Sequence, residues 1–249
     1  MIPRFTTCWR EFDSWPPESA KPQVFYLSAD GGLATEAPTE DEAYDEYVSD
    51  PARPVPYVGH TQMGMQHDYM TEDQRFAARR PDVLVYTTAV LEEDLTVLGP
   101  ITVNLHVSTS GTDSDFVVKL IDVYPDDYPT PEWECPEPRP ANHVRMGGFQ
   151  QLVRGEPFRG KFRRSLSEPV PFVPGEPDLI AFDMPDIAHT FRSGHRLMIQ
   201  IQSSWFPLVD RNPQTFVDIP HAEPEDFKKA TQRVFRSTEK PSSITVLVE

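Results

Sequence analysis

Attack on a carbonyl needs a serine or cysteine held beside a base, and few residues here could serve. Serine hydrolases of the α/β type place the nucleophile on a glycine-flanked G-x-S-x-G turn, and the 249 residues contain no such pattern. Ser110-Gly111 and Ser193-Gly194 come nearest, but each stands between two strand-like runs and reads as a β-turn. The only cysteines, Cys8 and Cys135, lie in Trp- and Pro-rich segments without an adjacent cation to lower a thiol pKa. They are too few for a disulfide framework or a thiolate zinc site, and unpaired thiols are preferred to a single bridge. The seven histidines (60, 67, 106, 143, 189, 195 and 221) show no H-E-x-x-H spacing. His60, His67 and Asp68 read as an ordinary loop cluster. Asp113-Ser114-Asp115 could offer two carboxylates to calcium. Without the rest of an oxygen cage, it reads as a polar turn capping a strand. The residues therefore predict no metal and no cofactor.

These groups must be positioned by a body whose character follows from composition. The chain is long enough for one large domain or two small ones, and it carries 27 prolines, about twice ordinary usage. Lys plus Arg is 23 against 39 for Asp plus Glu, a net charge of −16. Such a surface repels phosphate backbones and anionic lipid, so neither nucleic acid nor membrane is an expected partner. No apolar run approaches the ~20 residues of a membrane-spanning helix, and the opening MIPRFTTCWREF lacks the apolar core of a secretion signal. Localisation is left open, with the cytoplasm as the default.

Period-two patterning dominates from residue 82 onward. In LTVLGPITVNLHVSTS, Ile101, Val103, Leu105 and Val107 alternate with Thr102, Asn104, His106 and Ser108, the mark of a strand with one buried face. SDFVVKLIDVYP is apolar on both faces until Asp122, as a central sandwich strand would be. DVLVYTT, MGGFQQLVRG, FRGKFRRSLS, PDLIAFDMP, HRLMIQIQSSWFP, TQRVFRS and SITVLVE bring the total to about ten strands. Earlier, VFYLSADGGL signals a hairpin at Ala29-Asp30-Gly31-Gly32. The acidic run from Glu36 to Asp50 reads as a solvated loop. Two short helices are expected: one after Thr71 as N-cap, and one opening at Pro224-Glu225-Asp226 and running from Phe227. The fold class is all-β, an antiparallel β-sandwich of jelly-roll, galactose-binding-domain-like type, with one or two short helices. No internal repeat is visible.

Two clusters remain. In SSWFPLVDRNPQT (203–215), rigid prolines and the Asp210-Arg211 pair suggest either a loop pinned on another surface or a self-packed loop with an internal ion pair. GHTQMGMQHDYM (59–70) gathers Met63, Met65 and Met70 into a segment that suits a binding wall or a core-covering flap.

The strings WREFDSWPP (9–17), YLSADGGL (26–33), DPARPVP (50–56), MTEDQRFAARRPDVLVY (70–86), TSGTDSDFVVKLIDVYP (109–125), FRGKFRRS (158–165), GHRLMIQIQSSWFPLVDRNPQT (194–215) and KATQRVFRS (229–237) carry a resemblance. Together they resemble the C-terminal domain of the X-Pro dipeptidyl-peptidase and cocaine-esterase-like (CocE/NonD) hydrolases, most of all the α-amino acid ester hydrolases and cephalosporin acylases. The resemblance implies a jelly roll that accompanies an α/β-hydrolase domain holding a Ser-Asp-His triad. No triad position maps onto this sequence, so the chain alone is expected to be inactive and the triad to lie upstream of Met1. Residues 1–22 then read as a linker from the hydrolase domain. Residues 23–249 read as the jelly roll, with a flap over 59–81.

In such enzymes the flap leans over the active-site mouth, which makes Gln62, Met63 and Met65 the pocket-wall candidates. The 203–215 loop is expected to pack on the hydrolase domain through Trp205, Phe206, Asp210, Arg211 and Asn212. Partners implied are that hydrolase domain and, through the apolar surface it would leave uncovered, a second copy of the chain. The alternative is a free-standing carbohydrate- or ligand-binding module using Trp133, Trp205 and Tyr128.

Overall fold

The alternating run over 95–109 becomes the longest strand of the molecule, and the rest of the sheet is assembled around it. The computed structural model describes residues 10–61, 64–65, 67–130 and 145–249. Within them are eleven strands: β1 (Lys21–Ser28), β2 (Gly32–Ala34), β3 (Tyr44–Ser49), β4 (Leu84–Thr87), β5 (Leu95–Thr109), β6 (Asp115–Val123), β7 (Gln150–Arg159), β8 (Asp178–Phe191), β9 (Arg196–Gln202), β10 (Ala230–Phe235) and β11 (Ser243–Val248). The single α-helix among them, α1, is the four-residue Arg75–Ala78.

Hydrogen bonding follows the order β3-β10-β5-β11-β1-β2-β4-β9-β6-β7, with β8 along the other edge of β5. Every ladder is antiparallel except one parallel pair, Gly32 with Thr87, where β2 meets β4. The continuous sheet folds over on itself at this narrow link, giving the antiparallel sandwich expected of the sequence. One layer is β8-β5-β11-β1, extended by β10 and β3; the other is β4-β9-β6-β7. Ile101, Val103, Leu105 and Val107 are fully buried between the layers with Phe116, Val118 and Leu120 of β6 and Leu197, Ile199 and Ile201 of β9. Burying each such side chain contributes roughly 1.5–3 kcal/mol. At the open edge β7 meets β8, where the rings of Phe158 and Phe182 stack at 4.9 Å and Arg154 Nη2 donates to the Asp186 carbonyl at 2.8 Å.

The expected hairpin forms, with Asp30 and Gly31 both at positive φ (56° and 69°) between β1 and β2. Other expectations need correction. MGGFQQLVRG and FRGKFRRSLS are not two strands: the ladder with β6 draws Gln150–Arg159 into one, and a 3-10 turn follows at Gly160–Phe162. Pro224–Asp226 forms only a 3-10 turn, because Phe227 is extended and residues 230–235 join β3 and β5 as β10. Thr71 ends a 3-10 turn rather than capping a helix; α1 begins after Gln74, whose N–H is committed to the Gln150 carbonyl at 3.0 Å. The acidic run is loop only in part. Its end, Tyr44–Ser49, is β3, held by one cation of β10 and one just after it. Arg233 Nε meets Glu46 at 3.0 Å and Arg236 Nε meets Asp45 at 3.1 Å.

The segment leading into β1 lies on the body. Pro16 rests on Gly99, whose φ of +115° and lack of a Cβ leave room for it: a Cβ there would stand 2.9 Å from the proline ring. Trp15 Nε1 donates to Asp186, and Ser19 Oγ donates to Glu249 at 2.8 Å.

Candidate functional site: the covered face and its flap

β6 alternates between two environments. Its even-numbered residues face the sandwich core, while Asp115, Val117, Lys119 and Ile121 face outward beside Met198, Gln200 and Gln202 of the neighbouring β9. A strand face with two ionisable groups and two glutamines would ordinarily be wet. Here all of these residues are buried, because two segments cover them. One is 50–83, which contains the flap; the other is the 203–215 loop.

The two covering segments are laced together. Tyr57 N–H donates to the Phe206 carbonyl, and Phe206 N–H donates to that of Val55, both at 2.9 Å. Val55 N–H donates to Ser204 Oγ at 2.8 Å. Trp205 points inward against Tyr57, Val58, Val117, Ile121, Leu152 and Met198. Its ring lies so close to Gly155 of β7 that a Cβ there would come within 2.7 Å of it. Edge to face, Tyr69 closes the stack at 5.8 Å.

The end of the loop is fixed by charge. Asn212, buried, donates to Asp115 Oδ1 at 2.8 Å, and Arg159 Nε lies 3.3 Å from the same carboxylate. Burial raises the Asp115 carboxyl to about 6 even though Arg159 and Asn212 oppose the shift. The sequence pair Asp210-Arg211 is not an ion pair. Asp210 binds Arg159 instead. Arg211 donates to the Pro51 carbonyl at 2.9 Å and lies over the rings of Phe227 and Phe206 at 5.0 and 5.6 Å. Asp113, Ser114 and Asp115 are all buried at the head of β6, with Ser114 N–H capping Asp113 Oδ1 at 2.9 Å. No group of three or more histidine, cysteine or acidic side chains suited to a metal occurs among the described residues.

Of the pocket-wall candidates, Gln62 and Met63 lie outside the described residues. Met65 is described, and it is more than half exposed (57%). Of the loop residues, Trp205 and Asn212 are buried in this chain's own body, and Phe206 (38% exposed) presents its ring outward. Asp210 is half exposed while bound to Arg159. Trp205 is therefore unavailable as a sugar platform, and Tyr128 packs on Tyr124 at 4.7 Å. Trp133 lies outside the described residues, as do Cys8, Cys135 and His143.

Sequence reasoning missed one cluster. Asp122 of β6 accepts from His189 Nε2 of β8 at 3.0 Å and from His195 Nδ1 at 2.8 Å, so one carboxylate ties the two layers together. Burial works against its charge, but the two histidine bonds outweigh that and hold Asp122 below the usual carboxylate range. The six-residue spacing of the histidines was visible; that a turn would aim both at Asp122 was not.

These features define a β-sandwich with one face covered by two laced loop segments. The chain belongs to the X-Pro dipeptidyl-peptidase C-terminal non-catalytic domain family, whose model matches residues 2–245. It is 34% identical over 246 residues to the cocaine esterase of Rhodococcus sp. (strain MB1 Bresler), covering 96% of this chain and 39% of that protein. Among solved structures it is similar to an aminopeptidase from a marine sediment Thaumarchaeota archaeon (43% identity, TM-score 0.87, 97% of this chain, 39% of the other). It is also similar to an α-amino acid ester hydrolase (44% identity, TM-score 0.80, 91% and 36%). The chain thus spans about two-fifths of the length of the relatives it matches.

Proposed function

We propose that this chain works as the accessory domain of a serine-type ester or aminoacyl hydrolase, closing one side of the acyl pocket and stabilising the assembly. The observation that carries this reading is the match to a non-catalytic domain over residues 2–245, in relatives of which that match is less than half. Acyl transfer needs a preorganised nucleophile, base and oxyanion hole, and an α/β-hydrolase domain would supply them. This chain supplies shape. The flap tip, with Met65 and its neighbours Gln62 and Met63, would form an apolar wall for the acyl group. Phe206, Asp210 and Arg211 would meet the hydrolase domain, with Trp205 and Asn212 holding their loop in the required form.

The test is complementation. The isolated chain is expected to release no burst of nitrophenolate from p-nitrophenyl acetate. Mixed with the hydrolase portion of an α-amino acid ester hydrolase lacking its own C-terminal domain, it is expected to raise that portion's kcat/KM. Turnover by the chain alone, blocked by a serine-directed phosphonate, would overturn the reading.

A further inference from the structure

Lys119 is fully buried on the covered face of β6. Among the described residues its amine has one acceptor, Gln74 Oε1 at 3.0 Å, and it lies over the rings of Trp205 and Phe76 at 5.0 and 5.9 Å. Gln74 is itself fully buried and passes the contact on: its Nε2 donates to the Glu72 carbonyl at 2.8 Å. Glu72 Oε1 in turn accepts from Gly59 N–H at 2.9 Å and stands 3.1 Å from His60 Nδ1. One relay therefore runs from the middle of a core strand through Gln74 and Glu72 to Gly59 and His60, where the flap begins.

We propose that Lys119 is a positioning residue for the flap root: through Gln74 and Glu72 it fixes residues 59–60 and 72–74 on the sandwich, and gain of a proton on its amine loosens them. The bearing on an acyl pocket rests on the function proposed above; the coupling itself does not.

The physical reason is desolvation. An ammonium carries three donors and a full charge, and the described residues give it one neutral acceptor and two ring faces. The charged group acting on it is Glu72, from the flap root. Among the described residues, the other elements packed against it present uncharged groups: Gln200 of β9, its cross-strand partner, Gly155 of β7 and Trp205 of the loop. The Gln200 Oε1 atom is buried and has no hydrogen-bond partner among the described residues. Burial pushes the Lys119 amine down to about 7, with Glu72 opposing. Lifting the flap root would return the amine to water and to its ordinary affinity for protons. Because the open form binds the proton more tightly, opening is favoured as pH falls, and closing is favoured as pH rises from about 7 toward 10.

Hydrogen exchange by mass spectrometry on the full 249-residue chain tests this, with rates corrected for intrinsic pH dependence. Protection of peptides covering 57–61 and 69–78 is expected to rise by up to about tenfold per pH unit above 7 and to level off below it. In Lys119→Met the same peptides are expected to show no such rise. Gln74→Leu, which keeps the amine but cuts the relay, is expected to lower protection at 59–61 at every pH.

A pH-independent flap in the unsubstituted chain, an unchanged profile in Lys119→Met, or equal protection in Gln74→Leu would each overturn the proposal. So would protection at 57–61 and 69–78 as high as that of β5 and β11 at every pH, which would report global unfolding instead of a local opening. Should Lys119→Met fail to fold, the unsubstituted profile and Gln74→Leu still decide. No catalytic partner is needed, so failed complementation and failed flap coupling are separate results.

Discussion

The two faces of β6 carry nearly equal burial and opposite chemistry. The inner face presents Phe116, Val118 and Leu120 to strands of the facing layer in apolar contact, with the Asp122 carboxylate held by two histidines at its end. The outer face presents Asp115, Lys119 and, from β9, Gln200 and Gln202, and loops cover it. An apolar interior tolerates any partner of suitable volume. A buried polar face must satisfy each group from a specific atom, so it dictates the path of the chain lying over it. The inner face thus makes the sandwich stable, and the outer face fixes where the flap and the 203–215 loop lie.

Substitutions separate the two faces. Phe116→Ala opens the inner core and is expected to cost ~3–5 kcal/mol in a urea melt, with flap and strands unfolding together. A loss below about 1 kcal/mol would mean that the inner face is not the main store of stability. Gly155→Ala drives a methyl group into the Trp205 ring on the outer face and is expected to cost ~1–3 kcal/mol. Its signature is local: exchange rises in 203–209 and 55–58 before β5 is affected. Unchanged protection in those peptides would show that Trp205 does not pin the loops.

A smaller effect is expected from pH. The Lys119 amine takes up fewer protons in the folded than in the unfolded chain between about 7 and 10.5. Stability should therefore rise with pH across that window, by at most about 1.4 kcal/mol per unit. Denaturant midpoints for the chain and for Lys119→Met, taken at pH 6, 7.5 and 9, check this; equal slopes would break the contrast between the faces. Smallest of all, Glu46→Gln removes an exposed ion pair with Arg233, away from both faces. It is expected to change stability by less than about 0.5 kcal/mol in the same melt.

The inner face was legible because period two is a local property. Ile101, Val103, Leu105 and Val107 can be read as one buried row without knowing their partners, and the Asp30-Gly31 turn was legible from its tolerance of positive φ. The acidic run misled because β3 is held by Arg233 and Arg236, nearly 200 residues away. Asp210 misled in the same way: its nearest cation in sequence is Arg211, but its partner is Arg159. Local rules placed a helix at Phe227, and the ladder with β3 and β5 outweighed them. The family was legible from ordered strings, since motifs survive without a three-dimensional argument.

Sequence alone determined the class of fold, the expectation of a partner domain, and the net acidic charge. These depend on composition, on spacing along the chain, or on likeness to known strings. Only the tertiary structure decided that Lys119 is dry, that Gln74 and Glu72 link it to Gly59, and that Asp122 joins two histidines across the layers. Those are meetings between residues far apart in the chain. A lysine in a strand pattern looks the same whether water or a tryptophan lies above it, and the difference arises only when the chain folds back over it.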